Sequence, residues 1–280
     1  MNENAHISAT DKIPPEDVLF IALELGEHIL RCGGEIGRAE DTITRICKAY
    51  GASHVDVTAI LSMIVLTVDF DDKRSTCTRR IMSATATNLD KLDKLNNLSR
   101  TICAELPSKK EVISKMGEIS RSCVIHIPKF LIGNALAAFG FAIFFSSFTA
   151  DFNLESALIV LCDGFISGAL AVPLCLLAYY MDKSHVNSLV SRFAVCFLGG
   201  ASAMLICHAL PFCHADKIMI GNVMNFIPGV AMTNSFRDLF GGDIMSGLFR
   251  LCSVIIDAIV VAAGYAVAII LLGSILGGIV

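Results

Sequence analysis

The chain has 280 residues; 54% are hydrophobic and 17% charged, the mean hydropathy is +0.67, and the formal net charge is −4. Soluble domains carry roughly 25% charged residues, so this chain is too poor in charge to cover an ordinary soluble surface. Disorder, collagen and a secreted disulfide scaffold are excluded on composition, and the acidic balance excludes a generally basic nucleic-acid binder.

The charges are unevenly placed. Residues 1–129 hold 35 of the 48 Asp, Glu, Lys and Arg side chains, leaving 13 for the remaining 151 residues. A polar N-terminal part therefore precedes a very apolar one. Residues 1–15 are polar and acidic, without the basic and apolar regions of a signal peptide, and are expected to be a disordered tail. Val18, Ile21, Ala22, Leu25 and Ile29 then follow the spacing of an amphipathic helix, which Gly33-Gly34 stops. Ala39, Ile43, Ile46 and Tyr50 share the face of a second helix ending at Gly51. Strands are predicted over 54–60, 63–70 and 74–82, with Asp71-Asp72 as a turn. Asn88 caps a helix to about Glu105, and another runs over about 108–121. The order ααβββαα predicts an α+β domain over 16–125.

Glu35, Arg38, Glu40 and Asp41 cluster in CGGEIGRAED. Paired acids suit acid–base chemistry, but charges at the start of a helix more commonly cap it and complement its dipole. The Gly-Gly is not a phosphate loop, since no GxGxxG follows a strand and no GxxxxGK[ST] occurs. GxSxG and HExxH are absent too. Eleven cysteines, an odd number, include no CxxC pair and no zinc-ligand spacing. The residues thus point to no catalytic group, metal or cofactor.

From residue 126 the sequence predicts an all-α membrane domain of five transmembrane helices, over about 130–150, 155–180, 189–210, 218–235 and 251–279; about 20 apolar residues cross a hydrocarbon core of roughly 30 Å. Lys109, Lys110, Lys115, Arg121 and Lys129 precede the first span, and Lys183, Arg192, Arg237 and Arg250 fall at alternate turns. The positive-inside rule then puts the N-terminal domain in the cytoplasm and, with five spans, the C-terminus outside.

Polar groups inside the spans are the functional candidates. A carboxylate at the depth of Asp163 costs several kcal/mol unless protonated, paired or hydrated. Its expected role is proton coupling or lining a substrate path; a hydrogen bond to a neighbouring helix, for example to Asn134, is the structural alternative. Asp257 lies nearer an expected interface. Asn225, Pro228, Gly229 and Asn234 mark a break in the fourth span, where freed backbone groups can meet a substrate or ion. Arg237 suits a substrate carboxylate, with Asp238 or Asp243 holding the guanidinium in its absence. The competing reading is a salt-bridged turn.

Two stretches carry a family resemblance. ILRCGGEIGRAEDTITRICKAYG places Gly33, Glu35, Arg38, Glu40, Ile43, Ala49, Tyr50 and Gly51 in one signature. IPGVAMTNSFRDLFGGDIMSGLFR places Pro228, Gly229, Asn234, Arg237, Asp238, Leu239, Gly242, Asp243, Ser246, Gly247 and Arg250 in another. Both resemble the N-terminal component of the threonine/serine exporter family. The resemblance implies a multi-pass exporter of small polar metabolites in the cytoplasmic (inner) membrane, driven by an ion gradient, proton coupling being the expected form. Fused members continue into a second set of spans. Ending at Val280, this chain resembles the longer half of a split exporter with a smaller membrane-protein partner subunit; such pairs include succinate exporters. The alternatives are an intramembrane aspartyl protease pairing Asp163 with Asp243, and a membrane-anchored hydrolase, for which no nucleophile–base motif speaks.

Overall fold

The computed structural model of the chain describes residues 13–71, 73–81, 87–123, 126–148 and 153–275. Most of the expected tail, Asp72 of the expected turn, Met82 of the third strand, and the ends of the first and last expected spans lie outside these residues.

The elements are α1 (Pro15–Arg31), α2 (Ile36–Ala49), β1 (His54–Ile60), β2 (Met63–Phe70), β3 (Lys73–Arg80), α3 (Leu89–Glu105), α4 (Lys109–Ser122), α5 (Ile127–Ser147), α6 (Leu154–Lys183), α7 (Ser188–Ala209), α8 (Ala215–Val223), α9 (Gly229–Phe240) and α10 (Ile244–Ile275). They form two compact units, Met1–Val124 with Val230–Leu251, and Ile125–Gly229 with Cys252–Val280.

This corrects the expected fold class. Among the described residues the chain is 75% helical with one small three-stranded sheet, and no α+β domain stands clearly apart from the helical part. Residues 230–251 join the unit of the N-terminal residues because their polar side chains find partners around the start of α2. A reading in contiguous windows has no access to such pairings. Among the described residues four helices, not five, are long and apolar enough to cross a membrane: α5, α6, α7 and α10. The expected fourth span is instead two short helices. α8 has nine residues and rises about 13 Å at 1.5 Å per residue, less than half the roughly 30 Å of a hydrocarbon core. The chain turns over 224–228, where Pro228 offers no amide hydrogen to continue the ladder.

In the first unit, α1 starts on Pro15 with Glu16 and Asp17 in its first turn and Arg31 in its last, each matched to the helix dipole. Its face of Ile21, Leu25 and Ile29 is fully buried together with Ile36, Ile43 and Ile46 of α2 and Ile64 and Leu66 of β2. Burying each such side chain contributes about 1.5–3 kcal/mol. The sheet is antiparallel in the order β1-β2-β3, with Val57 opposite Leu66 and Leu66 opposite Cys77. Asn88 caps α3 by accepting from the Lys91 amide at 2.9 Å, and Ser108 with Glu111 forms a capping box on α4.

In the second unit small residues bring helices together. A Cβ added at Gly168 on α6 would lie 3.0 Å from the Ala135 carbonyl oxygen of α5. Asp163 of α6 meets Ser146 of α5, so α5 and α6 are antiparallel. α8 runs parallel to α6, since Asp163 meets His214 and Ser167 meets Ile218. α10 runs parallel to α7: Arg192 pairs with Asp257, and Gly200 abuts Tyr265 and Ala268. The chain therefore returns between α7 and α10, and its return leg begins with the short α8.

Candidate functional site

Asp163 is the centre of the second unit's polar chemistry. It is fully buried on α6. Its Oδ1 accepts the His214 backbone N–H at 3.0 Å, which caps α8; its Oδ2 accepts the Ser146 hydroxyl at 3.0 Å and faces His214 Nδ1 at 3.0 Å. The last contact requires one proton between the two atoms, on Nδ1 or on the carboxyl. The His214 side chain is 55% exposed while that of Asp163 is 0% exposed. One end of this proton-sharing pair thus meets the surroundings and the other does not. Asn134, the partner considered from sequence, donates to the Phe130 carbonyl oxygen instead.

A file of polar groups follows along α8. Ser167 donates to the Ile218 carbonyl oxygen at 3.2 Å, and Asn222 donates to Ser167 Oγ at 3.1 Å. Asn222 is 1% exposed, and its Oδ1 has no hydrogen-bond partner among the described residues. Asn225, in the turn after α8, donates to the Asn134 carbonyl oxygen at 3.2 Å. Asn134 is seven residues into α5, so the break in the helix sits about 10 Å along it, inside the bundle. Pro228 and Gly229 end that turn, and Gly229 opens α9. Asp257 lies well inside α10 rather than near its start, paired with Arg192 of α7.

The two signature stretches meet in the first unit. Asn234 donates to the Gly33 carbonyl oxygen at 2.7 Å, and Arg250 Nη2 donates to that of Gly34 at 3.2 Å. Asp238 Oδ1 accepts the Ile36 amide at 3.2 Å, capping α2 from another part of the chain, while its Oδ2 lies 3.4 Å from Arg250 Nε. Arg237 is ion-paired to Glu35, which also lies 3.5 Å from Arg38. The partner of the Arg237 guanidinium is therefore Glu35, not Asp238 or Asp243. Glu40 accepts the Ala59 amide at 2.7 Å and ties α2 to β1. Asp41 turns outward to Arg45 at 2.5 Å, with both side chains exposed. Burial pushes the Asp238 carboxyl upward, against the Arg250 charge and the Ile36 amide. Burial also raises Glu40, against the Ala59 amide, and the Asp243 charge adds to the rise.

Asp163 and Asp243, paired in the protease alternative, belong to different units, and Asp163 Oδ2 is already engaged by Ser146 and His214. His214, Ser146 and Ser167 were not singled out from sequence; a histidine just before a short helix is the one signal that marks the first. Arg192 entered only as a topological charge. Among the described residues no group of three or more His, Cys, Asp or Glu side chains is placed to hold a metal ion.

Comparison with curated proteins gives no match, and comparison with solved structures gives none either. The ThrE family model of threonine/serine exporters matches residues 20–272, through both signature stretches and all four apolar helices. The chain, a multi-pass membrane protein, belongs to the threonine/serine exporter family.

Proposed function

We propose that this chain is a subunit of a proton-coupled secondary exporter of small polar metabolites, threonine- or serine-type amino acids or a dicarboxylate such as succinate. The observation that carries the reading is the Asp163–His214 pair, a buried carboxyl sharing one proton with a half-exposed imidazole. Intramembrane ionisable groups commonly mark proton relays and substrate pathways. The file from Asp163 through Ser167 and Asn222 to Asn225 supports a polar route along the interrupted leg, as does the unpartnered Asn222 oxygen. In transporters, broken helices supply such sites within the membrane.

The basic residues before α5 and between α6 and α7 support a cytoplasmic N-terminus and the inner membrane as the location. On that orientation the end of α5 and the start of α8, where Asp163 and His214 meet, belong to the outer end of the bundle, from which protons enter an exporter. A smaller membrane-protein partner subunit is part of this proposal, and co-purification with a candidate partner tests it.

The test is Asp163→Asn in cells loaded with L-threonine, L-serine or succinate, with membrane abundance measured. Export driven by a proton gradient should disappear while the protein inserts normally. Wild-type export by a well-inserted Asn variant would sink the reading.

A further inference from the structure

We propose that the Arg192–Asp257 pair between α7 and α10 is a zwitterion site, binding the α-carboxylate of an exported amino acid on Arg192 and its α-ammonium on Asp257. The proposal rests on the export reading and names the substrate class that this pair favours.

Arg192 lies one turn into α7, at the end of the bundle opposite the Asp163–His214 pair; the 22 residues of α7 rise about 33 Å. On the orientation proposed above this is the inner end, where an exported molecule enters. A guanidinium and a carboxylate within two apolar helices are expensive to hold there without reason. Asp257 is the one partner of Arg192 among the described residues, and Arg192 the one partner of Asp257. A guanidinium carries five N–H donors, and one carboxylate accepts at most a fork of two. Donors are therefore left over, and the Arg192 side chain is 33% exposed against 14% for Asp257, so the guanidinium is the less covered of the two groups.

The two helices meet too closely for the pair to be a loose surface contact. A Cβ added at Gly264 would lie 2.8 Å from the Phe193 carbonyl oxygen and 2.9 Å from Cys196 Cβ, one to two turns beyond the charges. The pair is thus fixed at one end of a tightly packed seam. Opposite charges on adjacent helices match the head of an α-amino acid. Its carboxylate takes the free face of the guanidinium and its ammonium takes the Asp257 carboxylate, so that no charge is left unpaired. Succinate has two negative ends: one pairs with Arg192, while the other faces no cation and Asp257 loses its own. The site therefore favours a zwitterion over a dicarboxylate. A purely structural staple, by contrast, needs only charge balance.

The experiment measures saturable counterflow of labelled L-threonine in membrane vesicles containing the full exporter, with competition by L-threonine amide, 3-hydroxybutyrate and succinate. L-threonine amide lacks the carboxylate and 3-hydroxybutyrate the ammonium. In the wild type, threonine should compete at least about tenfold better than any of the three, the factor that losing one charged hydrogen bond gives. Asp257→Asn should raise the half-saturating threonine concentration about tenfold and leave 3-hydroxybutyrate competition unchanged or stronger, which a structural role does not predict. The charge-balanced double variant Arg192→Gln/Asp257→Asn guards against misfolding; it should insert normally and lose saturable threonine flux. Wild-type half-saturation in that double variant, or equal competition by succinate and threonine in the wild type, overturns the proposal. Absence of flux for every probe in the wild type means instead that the export reading itself has failed.

Discussion

Asn234 donates its Nδ2–H to the carbonyl oxygen of Gly33 at 2.7 Å across 201 positions of sequence. With Asp238 on the Ile36 amide and Arg250 on the Gly34 carbonyl, it makes the loop between α1 and α2 a shared property of both ends of the first unit. Gly33 has φ +84°, a conformation that side chains with a Cβ rarely adopt. Three side chains of α9 and α10 therefore hold one tight loop in place. Asn234→Ala should lower the melting temperature of the detergent-solubilised protein by a few degrees, the effect of about 1 kcal/mol. An unchanged melt would mean that water replaces the bond at no cost.

Breaking the buried pair should cost more. Asp238 is 3% exposed and Arg250 7%. Arg250→Gln removes the charge opposite the buried Asp238 carboxylate, and stranding one partner of a buried ion pair typically costs about 3–5 kcal/mol. The double variant Asp238→Asn/Arg250→Gln should be more stable than Arg250→Gln alone. A double variant that melts lower than both single variants would show that Arg250 acts mainly through Gly34.

The same carboxyl predicts a pH effect. Burial raises Asp238 above its unfolded value, so the folded chain binds this proton more tightly than the unfolded chain. Its stabilising contribution is fully present below the unfolded value and is lost as pH rises through the folded value. Between neutral pH and about 4, the range of an ordinary carboxyl, the wild type should gain stability relative to Asp238→Asn as pH falls. Melting curves of both proteins at stepped pH check this; a gap that stays constant with pH contradicts it.

Close backbone approach predicts the response of two glycines. A Cβ at Gly247 would lie 2.8 Å from the Leu239 nitrogen and 2.9 Å from the Ser235 carbonyl oxygen, backbone atoms that cannot swing aside. Gly247→Ala should force α9 from α10 and cost about 1–3 kcal/mol, as overpacking does. At Gly37 the nearest atom is the side-chain oxygen Asp243 Oδ2 at 4.0 Å, so Gly37→Ala in the first turns of α2 should be neutral or stabilising. Equal melting shifts for the two variants would refute the contact argument.

How much of this was legible in the sequence follows from the range of each interaction. Apolar spacing gave Val18, Ile21, Leu25 and Ile29 as the buried face of α1, and Asn88 as the α3 cap, because both are local. The break near Pro228 was legible for the same reason, since a missing amide hydrogen is a property of one residue. The division into units was not. Asn234, Arg237, Asp238 and Arg250 find their partners about 200 residues away, and no window contains both ends. Asp163 was legible as a carboxylate in an apolar run, but its partners were not: His214 lies 51 residues on, in the turn before a nine-residue helix too short to register as a span.

The last expectation separates the two members of the Asp163–His214 pair. Asp163 caps α8 through the His214 backbone amide, a contact that depends on Asp163 but not on the imidazole. A variant at His214 therefore leaves the cap intact and changes only the proton-sharing contact at 3.0 Å. His214→Gln preserves a donor for the carboxylate and removes the titratable ring. If the ring passes protons between the surroundings and the buried carboxyl, export against a gradient should fall at least about tenfold, the low end of what one positioned acid–base group contributes. Exchange of substrate at equal concentrations, which needs no net proton movement, should continue. Asp163→Asn differs by also weakening the cap, so it should lower the melting temperature where His214→Gln does not. Gradient-driven export that survives His214→Gln unchanged would show that Asp163 exchanges its proton by another route, or that the pair only anchors α8 to α6.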